Sequence, residues 1–144
     1  MWTWMISIYN KFFGIADYLQ SPALLLARFY LAWVFFKSGL TKLRDWESTL
    51  FLFEYEYAVP VLPYELAAYL ATIGELVLPT MLVFGIFTRK GAAGIFVINL
   101  VAVFSLPDMP EAAFNLHLVW GVLSALIAIW GPGRFALDKP LNIR

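Results

Sequence analysis

The stretch "YLATIGELVLPTMLVFGIF", from Tyr69 to Phe87, decides the fold of this chain. It is apolar nearly throughout and long enough to cross a bilayer as a helix. Near its middle stands a carboxylate, Glu75, followed four residues later by Pro79. Because a charged side chain in hydrocarbon is costly, it is retained mainly where it has a partner or lines a cavity. The stretch therefore predicts a membrane-spanning helix whose acid belongs to a buried polar cluster.

The composition of the whole chain indicates the same setting. Of 144 residues, 62% are hydrophobic and only 14% are charged, and the mean hydropathy is +0.76. So few polar residues cannot cover a water-soluble domain of this size. The absence of cysteine excludes disulfides, thiol chemistry and Cys-bound metal. A net charge of zero without a basic block gives no indication of nucleic-acid binding.

Four apolar segments are long enough, or nearly so, to span a membrane. They lie at about 22–41, 66–87, 91–106 and 112–130. None shows the alternation of polar and apolar residues that a barrel strand needs. The sequence therefore predicts an all-α fold, a single integral-membrane four-helix bundle over residues 1–144.

Residues 1–20 are aromatic and apolar but are interrupted by polar residues and a glycine. We predict an interfacial helix that lies along the membrane surface, with a fifth span as the alternative. Its anchors in the interface would be Trp2, Trp4, Phe12 and Phe13.

The basic residues predict the orientation of the bundle. With four spans, both termini and the "TRKG" loop share one side, which holds Lys11, Arg89, Lys90, Arg134, Lys139 and Arg144. The other side has only Lys42 and Arg44. Since Lys and Arg are retained on the cytoplasmic side, both termini are expected there.

The longest connection, residues 42–65, is rich in aromatic residues and contains "EYEY" and two prolines. A loop of this length in so small a protein is usually packed or functional. We expect a partly structured outer loop that folds back over the bundle, with a short helix around residues 48–53. The alternative is an interfacial segment without a role in ligand binding.

Three charged residues stand inside predicted spans: Arg28, Lys37 and Glu75. At about 1.5 Å of rise per residue, Glu75, Lys37 and His117 share a layer, whereas Arg28 and Asn99 lie roughly 10 Å from the cytoplasmic end of their spans. Arg28 shares a helix stripe with Phe35, Gly39 and Lys42, and Lys37 points away from it, which favours a snorkelling position for Lys37.

We predict that Arg28 faces the interior and pairs with Glu75. The alternative is a protonated Glu75 in apolar surroundings. Pro79 removes the helical hydrogen bond to the Glu75 carbonyl, so the free carbonyl would lie beside the carboxylate. The alternative is that Pro79 only produces a kink that improves packing.

The fourth span carries the only histidine of the chain, His117, on a stripe of small residues. It is a candidate packing residue, proton relay or quinone contact. One histidine cannot supply a haem pair, and a metal site is not expected.

Several segments together resemble the DoxX family of small four-span bacterial membrane proteins. They are "ARFYLAWVFFKSGLTKL" (27–43), "ELVLPTMLVFGIFTRKGAA" (75–93) and "GPGRFALD" (131–138). Besides Arg28 and Glu75, the residues assigned a structural role through the resemblance are Gly39, Lys42, Pro79, Gly85, Thr88, Arg89, Gly131, Gly133, Arg134 and Asp138. The segment "FLFEYEYAVPVLPYELAAYLAT" is similar, more loosely, to a subgroup encoded beside modified-peptide and metal-stress gene clusters.

The resemblance implies a bacterial inner-membrane protein and, in some relatives, a subunit of a quinone-linked oxidoreductase. It leads to three hypotheses. The first is a quinone-linked accessory subunit without haem or flavin of its own. In it the quinone headgroup would contact Arg28, Glu75 and His117, with Lys37 and Asn99 nearby. The aromatic side chains of Trp33 and Trp120 would hold the ring.

The second hypothesis is an anchor or assembly partner for a metal-stress or peptide-maturation system, which docks through Glu54 and Glu56 of the acidic outer loop. The third is a small transporter or proton path. A partner protein or homo-oligomer in the lipid bilayer is expected. Neither the residues nor the resemblance decide whether the chain catalyses a reaction.

Overall fold

The computed structural model describes residues 2–143, and these fold into five α-helices without a strand. The helices are α1 (Trp2–Arg44), α2 (Trp46–Tyr55), α3 (Tyr64–Phe84), α4 (Thr88–Ser105) and α5 (Glu111–Trp130). Four segments are long and apolar enough to cross a membrane: Tyr18–Arg44, Tyr64–Phe84, Thr88–Ser105 and Glu111–Trp130. The predicted all-α membrane bundle is therefore confirmed.

The four spanning segments form a closed ring of neighbours. Helix α1 packs against α3, α3 against α4, α4 against α5, and α5 back against α1. Successive spans run antiparallel, so the bundle has two unlike ends. We call the end that carries α2 and the 56–63 loop the loop end. The opposite end, which carries the α3–α4 turn and residues 131–143, is the tail end.

Helix α1 differs from the expectation of a separate N-terminal helix, because it continues without a break from Trp2 to Arg44 and passes through Pro22. A proline in a helix removes one backbone hydrogen bond, and the turns on both sides hold the helix here. At about 1.5 Å per residue, 43 residues give a length of roughly 65 Å, twice the hydrocarbon thickness. The side chains of Trp2, Trp4 and Phe13 are exposed, and that of Phe12 lies outside the described part. An interfacial position for this segment stays a prediction.

The bundle core is apolar and lies towards the tail end. Its largest fully buried aliphatic side chains are Leu31, Leu82, Ile95 and Ile127, one from each spanning helix. Small residues let the helices approach one another: a Cβ atom on Gly91 or Gly94 would lie within 3 Å of leucine side chains of α3. Gly121 and Ser124 of α5, small residues of the stripe that carries His117, are buried here.

Helix α2 confirms the expected short helix in the long connection. It begins after Asp45, whose side chain accepts a hydrogen bond from the backbone N–H of Ser48 at 3.0 Å and from the Ser48 hydroxyl at 2.5 Å. Its Phe53 packs on Ala67 and Ala68 of α3. Because this contact holds α2 against the bundle, α2 lies over the loop end.

The cap of α2 predicts a pH dependence. The hydrogen bonds from the hydroxyl and backbone of Ser48 lower the pKa of Asp45. The folded cap therefore contributes its full stability above the ordinary aspartate pKa of about 3.9 and loses it as the pH falls through the lowered value. A nitroxide on Leu52→Cys, specific because the chain has no other cysteine, should become more mobile over that acid range. Asp45→Asn should keep the cap at pH 7 and abolish the transition, whereas an unchanged transition would contradict the assignment.

Candidate functional site

A cavity of about 670 Å³ lies towards the loop end, between all four spanning helices and beneath α2 and its following loop. Its walls are mainly aliphatic and aromatic. The polar side chains that line it are Lys37, Ser38, Thr41, Lys42, Tyr57, Glu75, Ser105 and His117. Its volume is in the range of small-molecule sites, and an apolar wall with few polar groups is typical of them.

Glu75 pairs with Lys42 in the wall of this cavity. The Lys42 ammonium lies 2.7 Å from Oε2 of Glu75 and donates a second hydrogen bond, of 3.0 Å, to the hydroxyl of Ser38. A lysine ammonium has three N–H donors, so one remains for a ligand. The Ser38 hydroxyl is a second hydrogen-bonding partner of the Glu75 carboxylate, which still has lone pairs left for a ligand. The predicted Arg28–Glu75 pair is therefore wrong.

The geometry of α1 and α3 explains this pairing. Gly39 lies against α3 so closely that a Cβ atom there would be 3.1 Å from Cβ of Glu75 and 3.0 Å from Leu76. Lys42 is three residues further on, which places it on the same face of α1 and nearer to the loop end. The side chain of Lys42 therefore extends beside the carboxylate, and Gly39 provides the close approach that the pair needs.

The side chain of His117 extends from α5 to the cavity, and Asn99 of α4 forms hydrogen bonds with it. Nδ1 of His117 lies 2.8 Å from Oδ1 of Asn99, and the Asn99 amide donates to the backbone oxygen of His117 at 2.9 Å. Gly121 leaves room for this amide, since a Cβ atom there would be 3.2 Å from Asn99 Nδ2. Asn99 is buried but does not line the cavity, so it supports His117 from outside.

The aromatic candidates have different positions. Trp120 lines the cavity, makes an edge contact with the His117 ring at 4.8 Å between centroids, and donates to the Tyr30 hydroxyl at 3.1 Å. Trp33 is 68% exposed on the outside of α1 and does not line the cavity. The expectation that Trp33 holds a ring beside Trp120 is therefore wrong. Lys37 is exposed and borders the cavity mouth, as a snorkelling lysine can.

Two further residues of the cavity were not expected from the sequence. Tyr57, in the loop after α2, lines it, and burial, together with the charges of Glu56 and Glu75, raises the pKa of its hydroxyl, which therefore stays protonated. Ser105, the last residue of α4, is buried with no hydrogen-bond partner for its hydroxyl within the described chain. A buried unpaired hydroxyl is uncommon and is available to a ligand.

Arg28 lies at the tail end, where its guanidinium binds backbone carbonyls instead of a carboxylate. It donates from Nε to Leu82 at 2.9 Å, from Nη2 to Val83 at 3.3 Å, and from Nη1 to Pro132 and Phe135 at 3.1 and 2.6 Å. Leu82 and Val83 belong to the last turn of α3, where carbonyls lack helical partners. Arg28 therefore joins the end of α3 to the tail and lies outside the cavity.

Asp138 completes this end of the bundle. Its carboxylate accepts from the backbone N–H groups of Phe87 and Thr88, at 2.6 and 2.9 Å, and so caps the start of α4. Asp138, to which the resemblance gave a structural role, is buried here.

The remaining residues assigned through the family pattern also have places at the tail end. Arg89 donates to the last carbonyls of α5, those of Ala128 and Ile129. Gly131 and Gly133 have φ values of +89° and +77°, which a glycine adopts without strain. The backbone of Arg134 donates to Ser21 Oγ, and its side chain is exposed.

Pro79 does not interrupt its helix. It lies inside α3, which continues to Phe84, and it is fully buried in the bundle. Because proline has no N–H, the Glu75 carbonyl lacks its usual helical partner, and the buried position of Pro79 agrees with the packing alternative.

These observations define a small helical membrane protein with a closed tail end and a ligand-sized cavity towards its loop end. Residues 23–108 match the DoxX family, and the chain belongs to that family. A curated protein of Haemophilus influenzae, described as uncharacterized, is 30% identical over 125 residues, which cover 81% of this chain and 81% of that protein. No solved structure matches the chain.

Proposed function

We propose that this DoxX-family protein is a quinone-binding accessory subunit of an oxidoreductase in the bacterial inner membrane. The observation that carries the proposal is the cavity itself. It combines apolar walls with a lysine–glutamate ion pair and a histidine, all at membrane depth. Polar groups in such a place are retained mainly where they serve a ligand or a transport path.

The residues present fit a quinone. The ring is flat and apolar, and Trp120 and Phe35 provide aromatic walls for it. One ring oxygen can accept from the third N–H of Lys42, which Glu75 and Ser38 hold in place. The hydroxyls of Tyr57 and Ser105, which also line the cavity, are donors that the other ring oxygen could use. A bound quinone would supply electron transfer, and the chain's own residues would orient it and exclude water.

Native mass spectrometry of the gently solubilised protein tests this proposal. We expect one quinone per chain in the wild type. Glu75→Gln should lower quinone affinity about tenfold or more, because Lys42 loses its fixed position. Glu65→Gln removes an exposed carboxylate from the same helix, outside the cavity, and should bind as the wild type does. A wild type that takes up no quinone, even when quinone is added, would refute the proposal.

The exposed acids of the loop end support a second candidate function. Glu54 and Glu56 are both exposed, whereas Phe53, which directly precedes them, is buried against α3, so a rigid support presents the acids. Such a surface suits an anchor or assembly partner for a stress or peptide-maturation system. The same mass spectra distinguish this function, since it requires a retained partner protein and no bound quinone.

A transport path is the weakest of the three hypotheses. Arg28 and the tail fill the tail end, and no residue of that cluster lines the cavity. A path for ions or solutes would need a polar file through both ends of the bundle.

A further inference from the structure

The hydrogen bonds of Asn99 fix the tautomer of His117. The Asn99 amide nitrogen donates to the backbone oxygen of His117, and a carbonyl oxygen only accepts. The side-chain oxygen of Asn99 must therefore be the atom that faces Nδ1 of His117, 2.8 Å away. Because that oxygen also only accepts, Nδ1 carries the proton. In a neutral imidazole the other nitrogen, Nε2, is then a bare acceptor.

Nε2 is the nitrogen that remains for the cavity. His117 lines the cavity, Asn99 does not, and Nδ1 is directed to Asn99. Within the described chain Nε2 has no hydrogen-bond partner. The edge contact with Trp120 and the Asn99 bonds together restrict rotation of the ring. The cavity thus presents an acceptor at this point, where a carbonyl oxygen of a ligand would meet a lone pair.

We infer that the cavity selects the reduced, hydroxyl-bearing form of its ring ligand, a hydroquinone, and that Asn99 determines this preference by holding His117 with Nε2 unprotonated. The inference rests on the proposed function and deepens it. At the Lys42–Glu75 pair a ligand hydroxyl can accept from the ammonium and donate to a remaining lone pair of the Glu75 carboxylate, whereas a quinone carbonyl can only accept. At His117 only a hydroxyl forms a hydrogen bond. The hydroxyls of Tyr57 and Ser105 can donate or accept, so they do not distinguish the two forms.

The single histidine makes the tautomer directly measurable. Protein labelled with ¹⁵N only in histidine gives the signals of one residue, since His117 is the only histidine. At pH 8, where an ordinary imidazole is neutral, we expect Nδ1 at the shift of a protonated nitrogen and Nε2 at that of a bare one. This is the reverse of the tautomer that free histidine prefers in water. Nε2 protonated, or both nitrogens protonated, would overturn the inference.

Ligand selectivity is tested with three ring compounds under argon: tetramethylhydroquinone, its dimethyl ether and tetramethylquinone. The hydroquinone should shift the Nε2 resonance and bind about tenfold more tightly than the other two, since only it can donate to Nε2. Asn99→Leu should lose the fixed tautomer and most of this preference. Asn115→Leu, which changes an exposed asparagine on the helix of His117, should retain both.

The outcomes separate the inference from the proposed function. Equal binding of the three compounds, or tighter binding of the quinone, would overturn the inference and leave quinone binding intact. Failure of all three to bind would refute both.

Discussion

Replacing Arg28 with leucine should lower the free energy of unfolding by about 3–5 kcal/mol, the range for a buried charged network that loses one side. The Arg28 side chain is 1% exposed and donates to four backbone carbonyls. A leucine fills part of the volume but leaves all four carbonyls without this donor, and unsatisfied buried groups are costly. Unfolding of the purified protein by SDS in mixed micelles measures the loss.

Two comparisons make this result specific. Arg28→Lys keeps the charge but loses the planar fork, so it should fall between the wild type and Arg28→Leu. Arg134→Leu removes an equal charge from an exposed position in the tail and should change stability by no more than about 0.5 kcal/mol. If the free energy of unfolding of Arg28→Leu lies within about 1 kcal/mol of the wild-type value, the guanidinium does not hold the tail end together.

Gly85→Ala should be the most harmful exchange of a single hydrogen for a methyl group, lowering the free energy of unfolding by about 2–4 kcal/mol. Gly85 ends α3 with φ +67°, a left-handed conformation that costs a residue with a side chain about 1–2 kcal/mol. Its Cβ atom would also lie 2.6 Å from the Arg28 guanidinium and 2.8 Å from the Ala136 backbone. The rest of the loss comes from displacing these atoms.

Gly14→Ala is the matched control. Gly14 lies within α1, and apart from the local backbone of its own helix, no described residue has an atom within 4 Å of the position where its Cβ would stand. Since alanine favours a helix over glycine by about 0.5–1 kcal/mol, this variant should be as stable as the wild type or more so. Both variants are compared by the same SDS titration. A Gly85→Ala protein as stable as Gly14→Ala would contradict the tight approach of the tail.

The parts of the fold that follow from local chemistry were predictable from the sequence. The four spans follow from apolar length. The helix α2 lies within a connection that composition alone marked as structured. The polar candidates Glu75, Lys37 and His117 were assigned to one layer because the rise per residue is constant, and all three line the cavity.

The wrong pairing of Arg28 has a physical cause. The helix face predicted for Arg28 was correct, since its side chain points into the bundle. The depth estimate, however, already placed Arg28 about 10 Å from Glu75 along the helix axis. Its true partners are backbone carbonyls, which every residue has and no sequence letter reveals. Lys42, on the same stripe and nearer to Glu75, was the available signal. The cap by Asp138 was similarly hidden, because its partners are backbone N–H groups 50 and 51 residues away.

The contacts of the tail end have a consequence for biosynthesis. Chain growth proceeds at about 5–20 residues per second, so residues 131–143 leave the ribosome after all four spans. Until then Arg28 has two of its four carbonyls, and the first N–H groups of α4 have no carboxylate. A nascent chain with every helix already inserted is therefore still incomplete at one end. The bundle gains the stability of these contacts in a late step, when residues 131–143 return to it.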